Sequence, residues 1–175
     1  MNEPFELEVV SIRLVKDAPL FSNEKLVNPH MVVSALWKHL REFDREVMCV
    51  INLKCDMTPI NVNFASVGTI DRALVSPRDL FKSSILSNAS HMMLLHNHPS
   101  GSPNPSAKDI AVTEKMETLC EMMGITLVDH VIVSADREEY FSFATNNMIK
   151  ALKKTDEEID NIDKLVASIN ERSGR

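Results

Sequence analysis

Apolar residues in the first part of the chain follow two different periods. After Asn28-Pro29 they recur at three- and four-residue steps, which predicts a helix that runs to about Arg41. Val47–Leu53 and Ile60–Val67 are rich in β-forming residues and are separated by polar residues, so they predict an antiparallel pair of strands. An earlier stretch, Leu7–Val15, alternates loosely between apolar and polar residues and predicts another strand.

Helices and strands continue to alternate in the second part. Ser76-Pro77-Arg78-Asp79 has the form of a capping box and predicts the start of a helix. Met92–Leu95 predicts a short buried strand, and Ala107–Met123 predicts a helix that ends before a glycine. Two more strands are predicted further on, Ile125–Val133 and Tyr140–Ala144.

The order of these elements favours an α+β or α/β fold with a mixed, mainly antiparallel sheet flanked by helices. Two consecutive strands lie in the middle of the chain, and the regular rhythm of a doubly wound fold is absent. Only 4 of the 175 residues are glycine, and none forms a glycine-rich phosphate loop, which argues against nucleotide-binding folds.

The C-terminal residues carry a pattern of their own. Between Asp156 and Ile169, isoleucine and valine recur at helical spacing, which predicts an amphipathic helix whose apolar stripe needs a partner surface. We therefore expect one domain over residues 1–145 and a helical extension over residues 146–175. Through this extension the chain could bind a partner or a second copy of itself.

Composition and charge narrow the function classes. Hydrophobic residues make up 44% and charged residues 25%, as in a globular protein, and no apolar run approaches the roughly 20 residues of a membrane span. The N-terminus is acidic and does not resemble a secretory signal, so we expect a cytoplasmic protein without membrane contact. With a net charge of −6 and no basic cluster longer than Lys153-Lys154, nucleic acid is not the expected partner.

The three cysteines form no metal-binding or disulfide pattern. Cys49, Cys55 and Cys120 are not arranged as a C-x-x-C pair, which agrees with a reducing compartment. We expect all three to be core residues.

Candidate chemistry is concentrated between residues 96 and 109. His96 and His98 point to the same side if the backbone stays extended through them, and Asp109 could supply a third metal ligand. Three protein ligands that leave one position for water are typical of a catalytic zinc site, whereas structural sites use four.

A simpler interpretation of the same residues stays open. A pair of histidines at a strand end can be an ordinary surface pair, and Ser106-Ala107-Lys108-Asp109 has the pattern of a capping box. A carboxylate bound to a metal would be turned away from its own helix terminus, so we expect the capping and ligand roles of Asp109 to exclude each other.

The spacing from His96 to Asp109 fits H-x-H-x7-S-x2-D, and it opens with the letters HNHPSG. With these features the sequence resembles the JAB/MPN metalloprotease-like (JAMM) domain, and in particular its bacterial RadC-like branch. Three outer segments also resemble landmarks of that branch, and the resemblance covers roughly residues 7 to 144. These segments are Asp44-Arg45-Glu46, Val75-Ser76-Pro77-Arg78 and Gly124–Val133.

The resemblance implies the layered JAB/MPN architecture, which is similar to that of cytidine deaminases. It also implies one Zn²⁺ per chain, bound by His96, His98 and Asp109. Glu46 would act as the base for a metal-activated water that attacks an amide carbonyl, and Ser106 would help to hold the oxyanion. The expected activity is that of a peptidase or isopeptidase on a protein or peptide that the sequence does not identify.

Two other functions remain open. Two histidines and a carboxylate also form the facial triad of non-haem iron proteins. Alternatively, the domain could be a non-catalytic metal-binding module associated with DNA processing. RadC-like proteins carry a helix-hairpin-helix region that this sequence lacks, so we expect little support for a DNA-repair role.

Three nearby residues are best interpreted as having no part in the chemistry. From the sequence alone, Glu46 is best interpreted as a solvated carboxylate at a strand end. Asp129 and His130 are best interpreted as ordinary sheet residues, although one of them could orient a ligand imidazole.

Overall fold

The computed structural model describes residues 14–15, 28–68 and 76–150. The predicted strand from Leu7 and the predicted helix Asp156–Ile169 lie outside these residues, apart from Leu14 and Val15, which are exposed and in no strand. The described elements follow in the predicted order. They are α1 (Pro29–Leu40), β1 (Val47–Leu53), β2 (Pro59–Val67), α2 (Pro77–Leu86), β3 (His91–His98), α3 (Ala107–Met123), β4 (Thr126–Ser134) and β5 (Tyr140–Ser142).

The strands form one sheet in the order β2-β1-β3-β4-β5. Only β3 and β4 run parallel, and α3 connects them. The other neighbouring strands are antiparallel, so the sheet is mixed and mainly antiparallel, as predicted. On one side β3 pairs with β1 as far as His96, and on the other side it pairs with β4 as far as His98.

Helices cover both faces of the sheet. On one face α1 packs on alternate residues of the central strands, including Cys49 of β1 and Leu95 of β3. On the other face α2 and α3 pack on the intervening residues, including Val50 of β1 and Leu94 of β3. Because the central strands are buried on both faces, they appear in the sequence as continuous apolar runs.

Local sequence signals set several of the helix ends. The Asn28 side chain accepts a hydrogen bond from Met31 N at 2.9 Å, which caps α1 as its sequence predicts. At the end of α3, Gly124 has a φ of +66°, a left-handed conformation that glycine adopts at little cost. The predicted capping box of α2 is wrong in detail, because Ser76 makes no side-chain cap and Asp79 pairs with Lys82 at 2.7 Å.

The central strand is longer than the sequence predicts. The apolar run predicts a strand over Met92–Leu95, whereas β3 spans His91–His98. Pairing with β1 and β4 keeps the backbone extended through the polar residues at its end.

The cysteines divide into two kinds. Cys49 and Cys120 are buried, as expected, and burial raises the pKa of each thiol to about 12. Cys55 is exposed in the turn between β1 and β2, so its predicted place in the core is wrong.

Among the described residues, no helix combines the length and the apolar character that crossing a membrane requires.

The position of Leu94 predicts a large cost for its truncation. Its side chain is fully buried between the sheet and helices α2 and α3, so Leu94→Ala should lower the free energy of unfolding by about 2–5 kcal/mol. Met122→Ala is the control, because that side chain is 77% exposed and its loss should change stability by less than about 0.5 kcal/mol. Urea unfolding measures both, and equal effects would contradict the central place of Leu94.

Candidate metal centre

The end of β3 brings two imidazole rings together. Because β3 stays extended through His98, the side chains of His96 and His98 lie on the same side of the sheet. Both rings are buried, and their Nε2 atoms are 3.0 Å apart. The condition on which the sequence interpretation depended, an extended backbone through both histidines, is therefore met.

Asp109 completes a three-residue cluster from the first turn of α3. Its Oδ1 lies 3.3 Å from His96 Nε2, and its Oδ2 lies 3.6 Å from His98 Nε2. Each of the three residues offers one possible metal-binding atom, and these three atoms lie within 4.8 Å of one another. Ligand atoms that each lie about 2.0–2.2 Å from a metal ion have comparable separations, so this group could hold one.

The loop between β3 and α3 makes this approach possible. It turns directly after the strand, where Gly101 N donates to His98 O at 3.0 Å. Gly101 has a φ of +85°, and a Cβ atom there would lie about 3 Å from the Asp136 carboxylate. The positive φ favours glycine here, whereas the Asp136 side chain is exposed and could move aside for a Cβ atom. The tight turn returns the chain to the histidines.

Asp109 also caps its own helix. Its Oδ2 accepts a hydrogen bond from Ser106 N at 2.7 Å, and Ser106 Oγ accepts one from Asp109 N at 3.3 Å. The carboxylate is therefore not turned away from its own helix terminus when it faces the histidines, and whether it keeps both contacts with a metal bound stays a prediction. The helix starts directly opposite the end of β3, so the same carboxylate can do both.

Electrostatics favour a cation in the cluster. Burial alone would raise the pKa of Asp109, but its close contacts with the imidazole rings of His96 and His98 hold it well below its usual range. Burial also opposes a proton on His98, yet its contacts with Asp109 and the Ser102 carbonyl, together with the charges of Asp109 and Glu46, raise its pKa. The carboxylate is thus ionised, and positive charge is stabilised beside it.

Each of the two candidate ligand rings also has a polar contact at Nδ1, the ring nitrogen that is not in the cluster. His98 Nδ1 lies 2.7 Å from the Ser102 carbonyl oxygen, which can only accept, so this nitrogen carries the proton and Nε2 is free to bind a metal. His96 Nδ1 lies 2.8 Å from His130 Nε2. His130 therefore contacts a candidate ligand, and our interpretation of it as an ordinary sheet residue is wrong.

Asp129 has a structural task instead. It accepts hydrogen bonds from Ser142 Oγ at 2.6 Å and from Ala144 N at 2.9 Å. These bonds hold the segment around β5 against β4.

Thr113 is a residue that sequence reasoning missed. Its Oγ1 lies 2.7 Å from His130 Nδ1, so it contacts the ring that contacts His96. Its place four residues after Asp109 puts it on the same face of α3, and that spacing is the signal that could have identified it.

Glu46 directly precedes β1, and β1 is the strand that lies next to the histidines of β3. The pairing of Met48 with His96 runs antiparallel, so two residues further Glu46 lies opposite His98. The side chain is half-buried, and its charge contributes to the raised pKa of His98.

Asn97 holds the backbone on both sides of Glu46, and sequence reasoning assigned it no role. Its side chain accepts from Val47 N at 2.8 Å and donates to Arg45 O at 3.1 Å. Asn97 is fully buried, so these two bonds replace bonds to water and fix the segment that carries Glu46.

Comparison with known proteins confirms the family that the sequence resembles. The family model described as RadC-like JAB domain matches residues 26–148. A UPF0758 protein of Thermotoga maritima is 45% identical over 111 residues, which cover 62% of this chain and 49% of that protein. A UPF0758 protein of Methanosarcina acetivorans is 33% identical over 113 residues, which cover 65% of this chain and 49% of that protein.

A third relative covers slightly more of the chain. A UPF0758 protein of Actinobacillus pleuropneumoniae is 37% identical over 120 residues, which cover 69% of this chain and 54% of that protein. The chain thus spans about half the length of the curated relatives it matches. Their names state no activity.

The double contact of Asp109 predicts that its two roles can be separated. Asp109→Asn keeps an oxygen that can accept from Ser106 N, but it replaces a charged ligand with a weak neutral one, so bound metal should be lost. Ser106→Ala removes the other half of the capping box and should retain the metal. Each variant should cost about 0.5–2 kcal/mol of stability, because each weakens the start of α3.

Elemental analysis after dialysis and thermal unfolding of both variants measure these effects. Equal metal content in the native protein and in Asp109→Asn would leave Asp109 with its capping role alone.

Proposed function

Because the chain belongs to the RadC-like JAB domain family, we propose that it is a zinc-dependent hydrolase of amide or isopeptide bonds. The observation that carries this proposal is the cluster of His96, His98 and Asp109 beside the half-buried Glu46. An oxyanion-stabilising group and a positioned base next to a metal are what amide hydrolysis requires.

The donor set suits zinc in a catalytic role. Two imidazole nitrogens and one carboxylate oxygen are ligands that zinc accepts, and three protein ligands leave a position for water or substrate. The buried thiols of Cys49 and Cys120 lie in the two apolar cores and not in the cluster, so the thiolate-rich set of a structural zinc site is not formed here. When bound, zinc would polarise the substrate carbonyl and make a water molecule more acidic.

Glu46 is the group we propose as general base. It lies opposite His98, where its carboxylate can take a proton from the attacking water and then pass it to the leaving amine. Asn97 fixes the peptide groups on both sides of Glu46, which limits the positions that the carboxylate can adopt. This role differs from the solvated carboxylate that the sequence alone favours.

Ser106 is the group we propose for the oxyanion. Its oxygen accepts from Asp109 N, so its own proton can be donated to an oxygen that becomes negatively charged. It lies at the N-terminus of α3, where the helix dipole also favours negative charge.

A protein or peptide is the substrate class that fits best. A pocket of about 400 Å³ is lined by the loop whose Ser102 carbonyl contacts His98, and we propose that it receives a side chain of the substrate. It is lined by residues 100–104 together with Asp136, Arg137 and Glu139. The net charge of −6 does not favour a polyanionic nucleic acid.

Glu46→Gln tests the base directly. The amide is nearly isosteric and cannot take up a proton, so the zinc-loaded variant should hydrolyse its substrate about 10²–10⁴-fold more slowly with unchanged zinc content. A peptide and isopeptide library screened with the native protein supplies the substrate. Glu42→Gln is the matched control, because Glu42 is 79% exposed near the end of α1, and its loss should leave the rate unchanged.

Two results would contradict the assignment. Loss of zinc from Glu46→Gln would make Glu46 a ligand or a support of the cluster. Retained zinc with an unchanged rate would place the base on another residue.

A further inference from the structure

A chain of three hydrogen bonds leads from α3 to His96. It starts at the Thr113 hydroxyl, which lies 2.6 Å from the carbonyl oxygen of Asp109 in the preceding turn. A carbonyl can only accept, so Thr113 donates its single proton there. The same hydroxyl lies 2.7 Å from His130 Nδ1, and since its proton is already used, His130 Nδ1 must be the donor in that contact.

The position of the proton on His130 then determines which nitrogen of His96 carries a proton. His130 is fully buried and stacks on Phe143 with ring centroids 4.9 Å apart. Removal from water disfavours a charged imidazole, so we take the ring as neutral. A neutral ring with its proton on Nδ1 has a lone pair on Nε2. His96 Nδ1 lies 2.8 Å from that atom and must therefore donate to it.

We propose that Thr113 and His130 are positioning residues that keep the proton of His96 on Nδ1 and so leave its Nε2 free for the metal. The chain of bonds begins at the backbone of Asp109, which is itself in the cluster. The first turn of α3 thus supplies one candidate ligand and sets the tautomer of a second. This role rests on the proposed metal site and is independent of any hydrolysis.

Removal of the Thr113 hydroxyl should reverse the direction of the hydrogen bond between His130 and His96. In Thr113→Val, a proton on His130 Nδ1 would face a methyl group in a buried site without an acceptor, which is costly. The ring avoids this cost if its proton moves to Nε2, from which it donates to His96 Nδ1. His96 then carries its own proton on Nε2, the atom that the metal needs.

The chain offers a close control for this experiment. Thr118 donates to the carbonyl of Glu114 at 3.1 Å, which is the same bond to the preceding turn of the same helix, but it is exposed. Thr118→Val therefore removes an equivalent helix bond at a site remote from the histidines. Thr113→Ser keeps the hydroxyl and loses only a methyl group.

Zinc affinity, measured on the full chain by competition with a chromophoric chelator, gives the first readout. Thr113→Val should bind zinc about 10–100-fold more weakly, as is typical when a group that orients a ligand is lost. Thr113→Ser and Thr118→Val should bind within a few-fold of the native protein. Equal weakening in Thr113→Val and Thr113→Ser would assign the effect to packing, and native affinity in Thr113→Val would overturn the proposal.

The second readout is the tautomer itself, which packing alone would not change. Nitrogen-15 NMR of the metal-free protein distinguishes protonated from unprotonated ring nitrogens. His96 Nδ1 should carry a proton in the native protein, Thr113→Ser and Thr118→Val, and should be unprotonated in Thr113→Val. An unchanged tautomer in Thr113→Val would overturn the proposal whether or not zinc binds. Absence of zinc binding by the native protein would overturn the proposed function and the metal part of this proposal, and the tautomers would then show separately whether Thr113 and His130 control the His96 proton.

Discussion

The arrangement of the whole site depends on strand β3 being paired with β1 as far as His96 and with β4 as far as His98. Pairing with β4 holds the backbone extended to His98, so two polar side chains that a loop would scatter lie on one face. The same register places His130 beside Leu94, two residues before His96, and thus on the face that α3 covers. On the other edge, the pairing with β1 places Glu46 opposite His98.

Helix α3 contributes to the cluster because it begins where β3 ends. The carboxylate of Asp109 is held by its own helix terminus and faces the two imidazoles at the same time, so the helix cannot shift without moving a candidate ligand. Burying three polar residues at the end of an otherwise apolar strand is unfavourable unless each polar atom finds a partner. Those partners are the Ser102 carbonyl for His98, the His130 ring for His96, and the peptide groups of Arg45 and Val47 for Asn97.

Local signals in the sequence predicted those features that depend on neighbouring residues. The cap at Asn28, the stop at Gly124 and the spacing from His96 to Asp109 are of this kind. The full length of β3 could not be predicted, because it depends on pairing with strands distant in the chain. The contact between His96 and His130 joins residues 34 positions apart, and periodicity carries no information about such a distance. At Ser76 the local pattern predicted a cap that does not form. The carboxylate of Asp79, which would complete the capping box, pairs with Lys82 instead.

The unequal burial of the three cysteines has a practical consequence. Cys55 follows the far end of β1, about 20 Å from the cluster of His96, His98 and Asp109 for a strand of seven residues at roughly 3.3 Å each. The other two thiols are enclosed in the cores and poorly ionised at neutral pH, so a maleimide dye or a nitroxide would attach at Cys55 alone. The native chain thus carries a single labelling position from which the distance to a paramagnetic ion in the cluster can be measured spectroscopically, without any engineered cysteine.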